Sequence, residues 1–152
     1  MTETSIVITK MQTEHIPHVA GIEADVFTVP WSAQAFTEAL GHDYTIFYVA
    51  LAQGKVAGYC GLYLCADEGE ITNVAAAPDR RRQHIAQRLL ARTMADAREK
   101  GARRIFLEVR SRNEPAIRLY EKAGFRAAGS RKNYYRNPQD DALVMLHEYA
   151  DI

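Results

Sequence analysis

Apolar and polar residues alternate along this chain in two periods, one typical of strands and one typical of helices. Period-two alternation predicts a first strand over residues 6–9. Runs over 46–51 and 55–64, joined by Ala52-Gln53-Gly54, predict a β-hairpin, and a run over 70–76 predicts the next strand. Further strands are predicted over 104–109, 125–132 and 142–147.

Apolar residues at spacings of three and four predict four helices between these strands. Thr13 is the predicted N-cap of the first, which runs to about Ala24, and Ser32 is the predicted N-cap of the second. The third has its apolar face over 85–97, and the fourth covers 114–123. This order of elements predicts an α/β fold with antiparallel hairpins in its N-terminal part.

The length and composition are those of a single soluble domain. The chain has 152 residues, of which 47% are hydrophobic and 25% charged, so we expect one domain over 1–152. No run approaches the ~20 apolar residues of a membrane span, and the N-terminus lacks an export signal, which predicts a cytoplasmic protein. Cys60 and Cys65 are expected to be buried and unpaired. No Cys/His cluster has metal-ligand spacing, so no metal is expected.

A net charge of zero conceals opposite charges in successive parts of the chain. Residues 1–79 contain two Lys/Arg and ten Asp/Glu, residues 80–136 contain seventeen and five, and the last sixteen residues contain none and four. The basic part predicts a polyanionic ligand, and the acidic parts suit a cationic partner. Nucleic acid is less expected, because the basic residues are not interleaved with stacking aromatics.

The segment ITNVAAAPDRRRQHIAQRLL over 71–90 reads as a strand, a loop rich in arginine and the start of a helix. Free backbone N–H groups at a helix start bind anions, and the helix dipole favours negative charge there. A phosphorylated cofactor is therefore the first ligand to expect.

Three motifs follow one another over 71–126: NVAAAP, RRQHIA at a helix start, and LEVRxxNxxAIxLYxxxGF. In this order they resemble the GCN5-related N-acetyltransferase (GNAT) superfamily. The segments VPWS over 29–32, RKNYY over 131–135 and DDALVM over 140–145 extend the resemblance to the ribosomal-protein-alanine N-acetyltransferases (RimI type). The resemblance implies a mixed, mostly antiparallel sheet with helices on both faces and one splayed strand pair. It also implies acetyl-CoA as donor and the N-terminus of a basic ribosomal protein, starting with alanine, as acceptor.

The resemblance further implies which residues bind the cofactor. Val74, Ala75 and Ala76 would pair with the pantetheine arm through main-chain groups, and Asn113 and Tyr120 would also contact it. The pyrophosphate would contact the helix start, namely Arg81, Arg82, Gln83, His84, Ile85, Ala86 and Gln87.

His84 departs from the family pattern, because it stands where a glycine is usual. A side chain is strained at the positive φ that such a position favours. Two roles stay open for the imidazole: it turns to solvent, or its N–H donates to a phosphate.

Acetyl transfer to an amine needs a base for the ammonium and an acid for the departing thiolate. By the resemblance, Glu108 is the base and Tyr120 the acid, while Glu70 is a competing base or a relay. A carboxylate on an otherwise apolar strand is costly unless it is paired or used, so a salt bridge from Glu108 to a neighbouring arginine, such as Arg104 or Arg110, is the alternative. For Tyr120 the alternative is packing in the core.

The acceptor would lie against four aromatic residues in the resembling family, Phe27, Trp31, Tyr134 and Tyr135. Acidic side chains in nearby segments would form a negative rim for a basic peptide, namely Glu23, Asp25, Asp67 and Glu68. The alternative is that Trp31 anchors the core and these acids are only solvated.

Transfer would be direct, from a ternary complex, since no activated Cys or Ser nucleophile is evident. Two other functions stay open: the same fold acetylating a small amine or another protein, and a non-catalytic acyl-CoA-binding module. Association with other proteins is also left open.

Overall fold

The order of strands and helices follows the sequence-based expectation. The structure, a computed structural model, describes residues 5–78, 84–136 and 138–150. Its elements are β1 (Ile6–Lys10), α1 (Ile16–Val26), α2 (Ala33–Leu40), β2 (Thr45–Ala52), β3 (Lys55–Cys65), β4 (Glu68–Ala76), α3 (Ile85–Glu99), β5 (Arg104–Arg110), α4 (Glu114–Lys122), β6 (Arg126–Tyr135) and β7 (Asp140–Glu148).

Local side-chain bonds and proline explain where the first two helices begin. Ser32 caps α2 as predicted, since its Oγ accepts a hydrogen bond from the backbone N–H of Ala35 at 3.1 Å. Helix α1 begins two residues later than expected, with His15 and not Thr13 as its N-cap, because Thr13 opens a 3₁₀ turn over Thr13–His15. Pro17 then lies in the first turn of α1, where its missing N–H leaves no hydrogen bond unmade.

The strands form one mixed sheet in the order β1-β2-β3-β4-β5-β7-β6. Every neighbouring pair is antiparallel except β4 and β5, which are parallel. Only three residue pairs join β4 to β5, the last being Glu70 with Phe106. Beyond that pair the two strands run on separately to Ala76 and Arg110. The splayed strand pair implied by the resemblance is therefore present.

A bulge lies in β4 at the point where the strands begin to separate. Leu62 of β3 pairs with Ile71, but the next residue, Gly61, pairs with Asn73, which leaves Thr72 unmatched. An extra residue shifts the alternation of side chains between the two faces of a sheet. Ile71 accordingly belongs to one core cluster, whereas Ala75, four residues later, belongs to the other.

Helices cover both faces of the sheet, each over its own hydrophobic cluster. Helices α1 and α2 pack on one face, with Val19 and Phe36 fully buried. Helices α3 and α4 pack on the other, with Leu89 and Leu90 fully buried. Gly58 lets α3 approach, because a Cβ there would lie 2.8 Å from both Ala75 O and Ile85 Cγ2.

The two cysteines differ in their surroundings. Both are free thiols, and Cys60 is buried as expected. Cys65 is exposed, so its predicted burial was wrong: it ends β3 beside the turn into β4. Among the described residues, no helix is long and apolar enough to cross a membrane.

Candidate active site

A cleft of about 790 Å³ opens where β4 and β5 separate. Strands β4 and β5 and helix α4 form much of its wall. The rest comes from the end of α1 with the loop after it, from the start of α3, and from the end of β6 with the turn that follows. Most of the predicted site residues line it, namely Phe27, Val74, Ala75, Ala76, His84, Ala86, Gln87, Glu108, Asn113, Tyr120 and Tyr135. The fold thus gathers residues that lie far apart in the sequence.

Glu108 reaches the cleft from β5, and its side chain is only 16% exposed. Its Oε2 lies 3.1 Å from Nε of Arg131, but the N–H is not directed at that oxygen, which accepts no hydrogen bond among the described residues. The salt bridge left open from the sequence is therefore present, but its partner is Arg131 and not Arg104 or Arg110. Arg104 pairs with Asp67 and Glu68 instead, and Arg110 lies over the Tyr135 ring at 4.5 Å. Glu108 is therefore held beside a positive charge with an acceptor position still free.

Tyr120 reaches the same cleft from α4. The residue is 8% exposed and packs against Phe125, with 6.0 Å between the ring centroids. Burial, and to a lesser degree the proximity of Cys60 and Tyr135, raises the pKa of Tyr120 above its ordinary value. The hydroxyl therefore keeps its proton at neutral pH and can donate it.

Glu70 lies apart from the main cleft, in a second cavity of about 610 Å³ whose walls include Tyr44, Tyr63 and Phe106. Burial is the main cause that raises the pKa of Glu70, followed by repulsion from Glu108, while Arg131 opposes both. The two carboxylates therefore interact electrostatically, although they face different cavities.

The start of α3 has the strained backbone that was expected at His84. His84 has φ 55° and ψ 28°, in the left-handed region, and its side chain is exposed at the cleft. The side chain of Ile85 is fully buried in the core, so only its backbone can contact a ligand. The predicted contacts at Arg81, Arg82 and Gln83 lie outside the described residues.

Asn113 has the capping role foreseen for it as well as a place in the cleft. Its Oδ1 accepts a hydrogen bond from Ala116 N at 3.3 Å at the start of α4. Capping and ligand contact are compatible, because the residue also lines the cleft.

The four aromatic residues predicted for the acceptor wall divide into two pairs. Phe27 and Tyr135 line the cleft. Trp31 instead packs in the core cluster of α1 and α2, with its ring centroid 5.2 Å from that of Phe36. Tyr134 is half-exposed and does not line the cleft itself. Its ring packs edge-on against that of Tyr135, with 5.1 Å between the ring centroids.

A buried polar network beside the cleft was missed from the sequence. Glu23, expected on an exposed acidic rim, is only 2% exposed, so that expectation was wrong. It accepts hydrogen bonds from Tyr59 Oη at 2.6 Å, from Trp31 N at 2.9 Å, and from Asn73 Nδ2 at 3.3 Å. The available signal was its place on the apolar stripe of α1, seven residues after Ile16.

Together these groups provide the means for proton transfer beside an open strand edge. A carboxylate with a free acceptor position and a protonated phenol share one cleft. The edge of β4 beyond Glu70 has no strand partner on its β5 side among the described residues, so its backbone groups are available to a ligand.

Comparisons with known proteins agree with this arrangement. The model described as the acetyltransferase (GNAT) family matches residues 16–125. A Bacillus subtilis (strain 168) protein named "Putative ribosomal protein bS18-alanine N-acetyltransferase" is 41% identical over 94% of this chain and 95% of its own length. The Escherichia coli (strain K12) ribosomal protein bS18-alanine N-acetyltransferase is 33% identical over 91% and 94%. The crystal structure of the ribosomal-protein-S18-alanine N-acetyltransferase from Escherichia coli superposes with a TM-score of 0.89 at 29% identity, covering 97% of this chain and 96% of that one.

Proposed function

The chain belongs to the acetyltransferase (GNAT) family, and we propose that it transfers the acetyl group of acetyl-CoA to the N-terminal amine of a ribosomal protein that begins with alanine. The observation that carries this proposal is the identity, over almost the full length, with relatives named for that reaction. Because ribosomal proteins are made and assembled in the cytoplasm, we place the activity there.

Acetyl-CoA fits the residues of the cleft. The open edge of β4 offers main-chain groups at Val74, Ala75 and Ala76, and the small alanine side chains let a pantetheine chain approach the backbone. Main-chain N–H groups near Val74 or Ala76 would polarise the thioester carbonyl as charge develops on its oxygen. The start of α3 would bind the pyrophosphate.

Glu108 and Tyr120 would move the two protons of the reaction. Glu108 takes a proton from the acceptor ammonium, which frees the nitrogen lone pair. The nitrogen then bonds to the acetyl carbon, the carbon–sulfur bond breaks, and Tyr120 gives its proton to the departing sulfur. Glu70 remains the second candidate for the base, and its pKa is raised by burial and by the nearby charge of Glu108.

On the acceptor side, Phe27 and Tyr135 would pack against the first residues of the peptide. Both line the cleft, to which the loop after α1 also contributes. Trp31 and Tyr134 would act less directly, Trp31 by supporting that loop from the core and Tyr134 by packing on Tyr135.

The experiment is a thiol-release assay with acetyl-CoA and a basic peptide that begins with alanine, followed by mass spectrometry to locate the acetyl group. We expect acetylation at the α-amine, none on an otherwise identical peptide whose N-terminus is already blocked, and none on small polyamines. Glu108→Gln is the matched variant, since it keeps the size of the side chain and removes the base. Release with polyamines alone would favour a small-amine enzyme, and no release with CoA still bound would favour a binding module.

A further inference from the structure

Three side-chain oxygens beside the gap between β4 and β5 are buried without a hydrogen-bond partner among the described residues. They are Thr72 Oγ1, Asn73 Oδ1 and Glu108 Oε2, and all three residues line the cleft. Glu108 Oε2 keeps its ion pair with Arg131 but accepts no directed hydrogen bond. Folded proteins leave few buried acceptors unsatisfied, because each one loses its bond to water without replacement. Three at one place therefore require an explanation.

These oxygens lie at the point of separation of the two strands. The last β4–β5 pair is Glu70 with Phe106, and Thr72 and Glu108 each follow two residues after it. Thr72 is the extra residue of the bulge, and Asn73 comes next along β4. The strand register thus places the three residues where the gap begins, and all three line the cleft there.

Glu23 determines which atom of the Asn73 amide is left free. The Nδ2 of Asn73 donates to both carboxylate oxygens of Glu23, at 3.3 Å each. A carboxylate only accepts hydrogen bonds, so the amide must turn its N–H₂ group toward Glu23 and leave Oδ1 unbonded. Tyr59 and Trp31 hold Glu23 in place through their own hydrogen bonds to it.

We propose that Asn73 Oδ1, Thr72 Oγ1 and Glu108 Oε2 form the subsite for the α-amine of the acceptor, and that Glu23 is a positioning residue that orients Asn73. The inference rests on the proposed function and adds the recognition of the amine to it. An ammonium has three N–H donors, which match three acceptors. After Glu108 takes one proton, the neutral amine keeps two N–H donors, which match the two remaining acceptors, Thr72 Oγ1 and Asn73 Oδ1. The acetylated product keeps a single N–H, so it binds less well and leaves.

The test compares two peptides that differ only in the amine. One begins with alanine, and the other begins with a propionyl group, which is alanine without its nitrogen. Each is titrated by calorimetry into the enzyme saturated with CoA, so that no turnover is needed. We expect wild type to bind the amine peptide about tenfold more tightly, and Asn73→Ala to lose most of that ratio. In kinetics, the same variant should raise the KM for the peptide and leave the KM for acetyl-CoA unchanged.

Tyr59→Phe is the matched control. It removes one hydrogen bond to Glu23 but leaves the bond from Trp31 N, which still holds the carboxylate against the Asn73 amide, so it should lower the melting temperature and keep the ratio between the two peptides. If Tyr59→Phe lowered the ratio as much as Asn73→Ala does, the network would be only structural and the proposal would be wrong.

A reversal of donor and acceptor provides a rescue. Asn73→Asp alone brings two carboxylates together and should lose both stability and discrimination. When Glu23→Gln is added, the amide Nε2 at position 23 can donate to one carboxylate oxygen at position 73. The other carboxylate oxygen then takes the place of Asn73 Oδ1 as the free acceptor. The double variant should therefore recover discrimination for the amine.

Thr72→Val provides a second, independent test should Asn73→Ala fail to fold. The proposal is overturned if wild type binds both peptides equally, or if the variants that fold keep the wild-type ratio. An enzyme that releases no thiol in the assay but still discriminates between the two peptides would contradict the proposed reaction and support the amine subsite.

Discussion

Glu108 and Tyr120 reach one cleft from different elements, and the surroundings of each suit the proton transfer that we propose for it. Arg131, with its Nε 3.1 Å from Glu108 Oε2, holds a positive charge beside the carboxylate without occupying its acceptor position through a directed bond. Tyr120 is buried beside Phe125, and its raised pKa keeps the hydroxyl protonated. The cleft therefore offers a proton acceptor, the carboxylate of Glu108, and a proton donor, the hydroxyl of Tyr120, at the same time.

Tyr120→Phe should lower turnover by about 10² or more, because the thiolate would leave without a proton donor. The KM for acetyl-CoA should change little, since Phe keeps the ring that packs against Phe125. Steady-state kinetics at saturating peptide measure both quantities. Tyr135→Phe is the matched control: it removes a phenol from the same cleft and should mainly raise the KM for the peptide. Unchanged turnover in Tyr120→Phe would show that the thiolate leaves unaided.

Glu70→Gln should stabilise the protein more at pH 7 than at pH 4. Burial, followed by repulsion from Glu108, raises the pKa of Glu70 above 4.5. The native state then binds more protons than the unfolded state as the pH rises through 4.5 toward the raised value, so stability falls over that window. Gln removes this loss. Melting temperatures across the pH range test it, with Glu68→Gln, whose partner is Arg104, as a control that should not show the gain.

At the scale of elements, the spacing of apolar residues predicted the strands and helices well, because the buried face of a strand or helix places apolar residues at regular intervals in the sequence. The bulge at Thr72 left no such pattern, since a single extra residue changes the pairing without changing the composition. Glu23 was misplaced for a similar reason. Its burial depends on donors from Tyr59, Trp31 and Asn73, which only the fold brings to it.

The parts of the site were predictable to different degrees. The resemblance, not the periodicity, indicated the splayed strands and the places of Glu108 and Tyr120, because three-dimensional convergence of β4, β5 and α4 has no local signature. Trp31 shows that a role implied by the resemblance does not always carry over: its ring packs against Phe36, and the residue does not line the cleft. The unpaired oxygens beside the gap could be found only from the structure.

The start of α3 allows a prediction at the level of the helix. His84 has φ 55°, so His84→Gly should stabilise the fold by about 1 kcal/mol, because glycine has no Cβ to strain. His84→Ala keeps the Cβ and removes the ring, so it should bring no such gain. Thermal unfolding of the two variants separates backbone strain from ring contacts.

The same variants decide between the two roles of the imidazole. If its N–H donates to a phosphate, wild type should bind CoA more tightly as the pH falls from 8 to 5.5, and both variants should lose that dependence. Parallel curves for wild type, His84→Gly and His84→Ala would show that the ring turns to solvent.

At the scale of the whole molecule, the cleft lies at the boundary between the acidic and the basic parts of the chain. The acidic residues 1–79 supply β1 to β4, and the basic residues 80–136 supply α3, β5, α4 and β6. Since the sheet order places β4 next to β5, the gap between them is where the two parts meet. A phosphorylated donor and a basic peptide can therefore approach surfaces of opposite sign.

This boundary predicts a salt dependence for the acceptor alone. Exposed charges attract over about 10 Å at 0.1 M salt and over shorter distances at higher salt, so the KM of a basic peptide should rise with ionic strength, whereas that of an uncharged peptide should not. Asp25, exposed near Phe27 at the end of α1, should contribute to this attraction. Asp25→Asn should raise the KM of the basic peptide at 0.1 M salt by about two- to fivefold and reduce its slope as salt is added above that concentration.

Glu14→Gln is the matched control for that charge. Glu14 is also exposed, but it precedes α1, whose 11 residues separate it from Phe27 by roughly 16 Å, beyond the screening distance. The same loss of charge there should leave the KM and its slope unchanged. If both variants behaved alike, the peptide would respond to net charge and not to a local acidic surface. If neither changed the slope, the acceptor would be recognised through its amine and the aromatic wall, since long-range attraction would then contribute nothing.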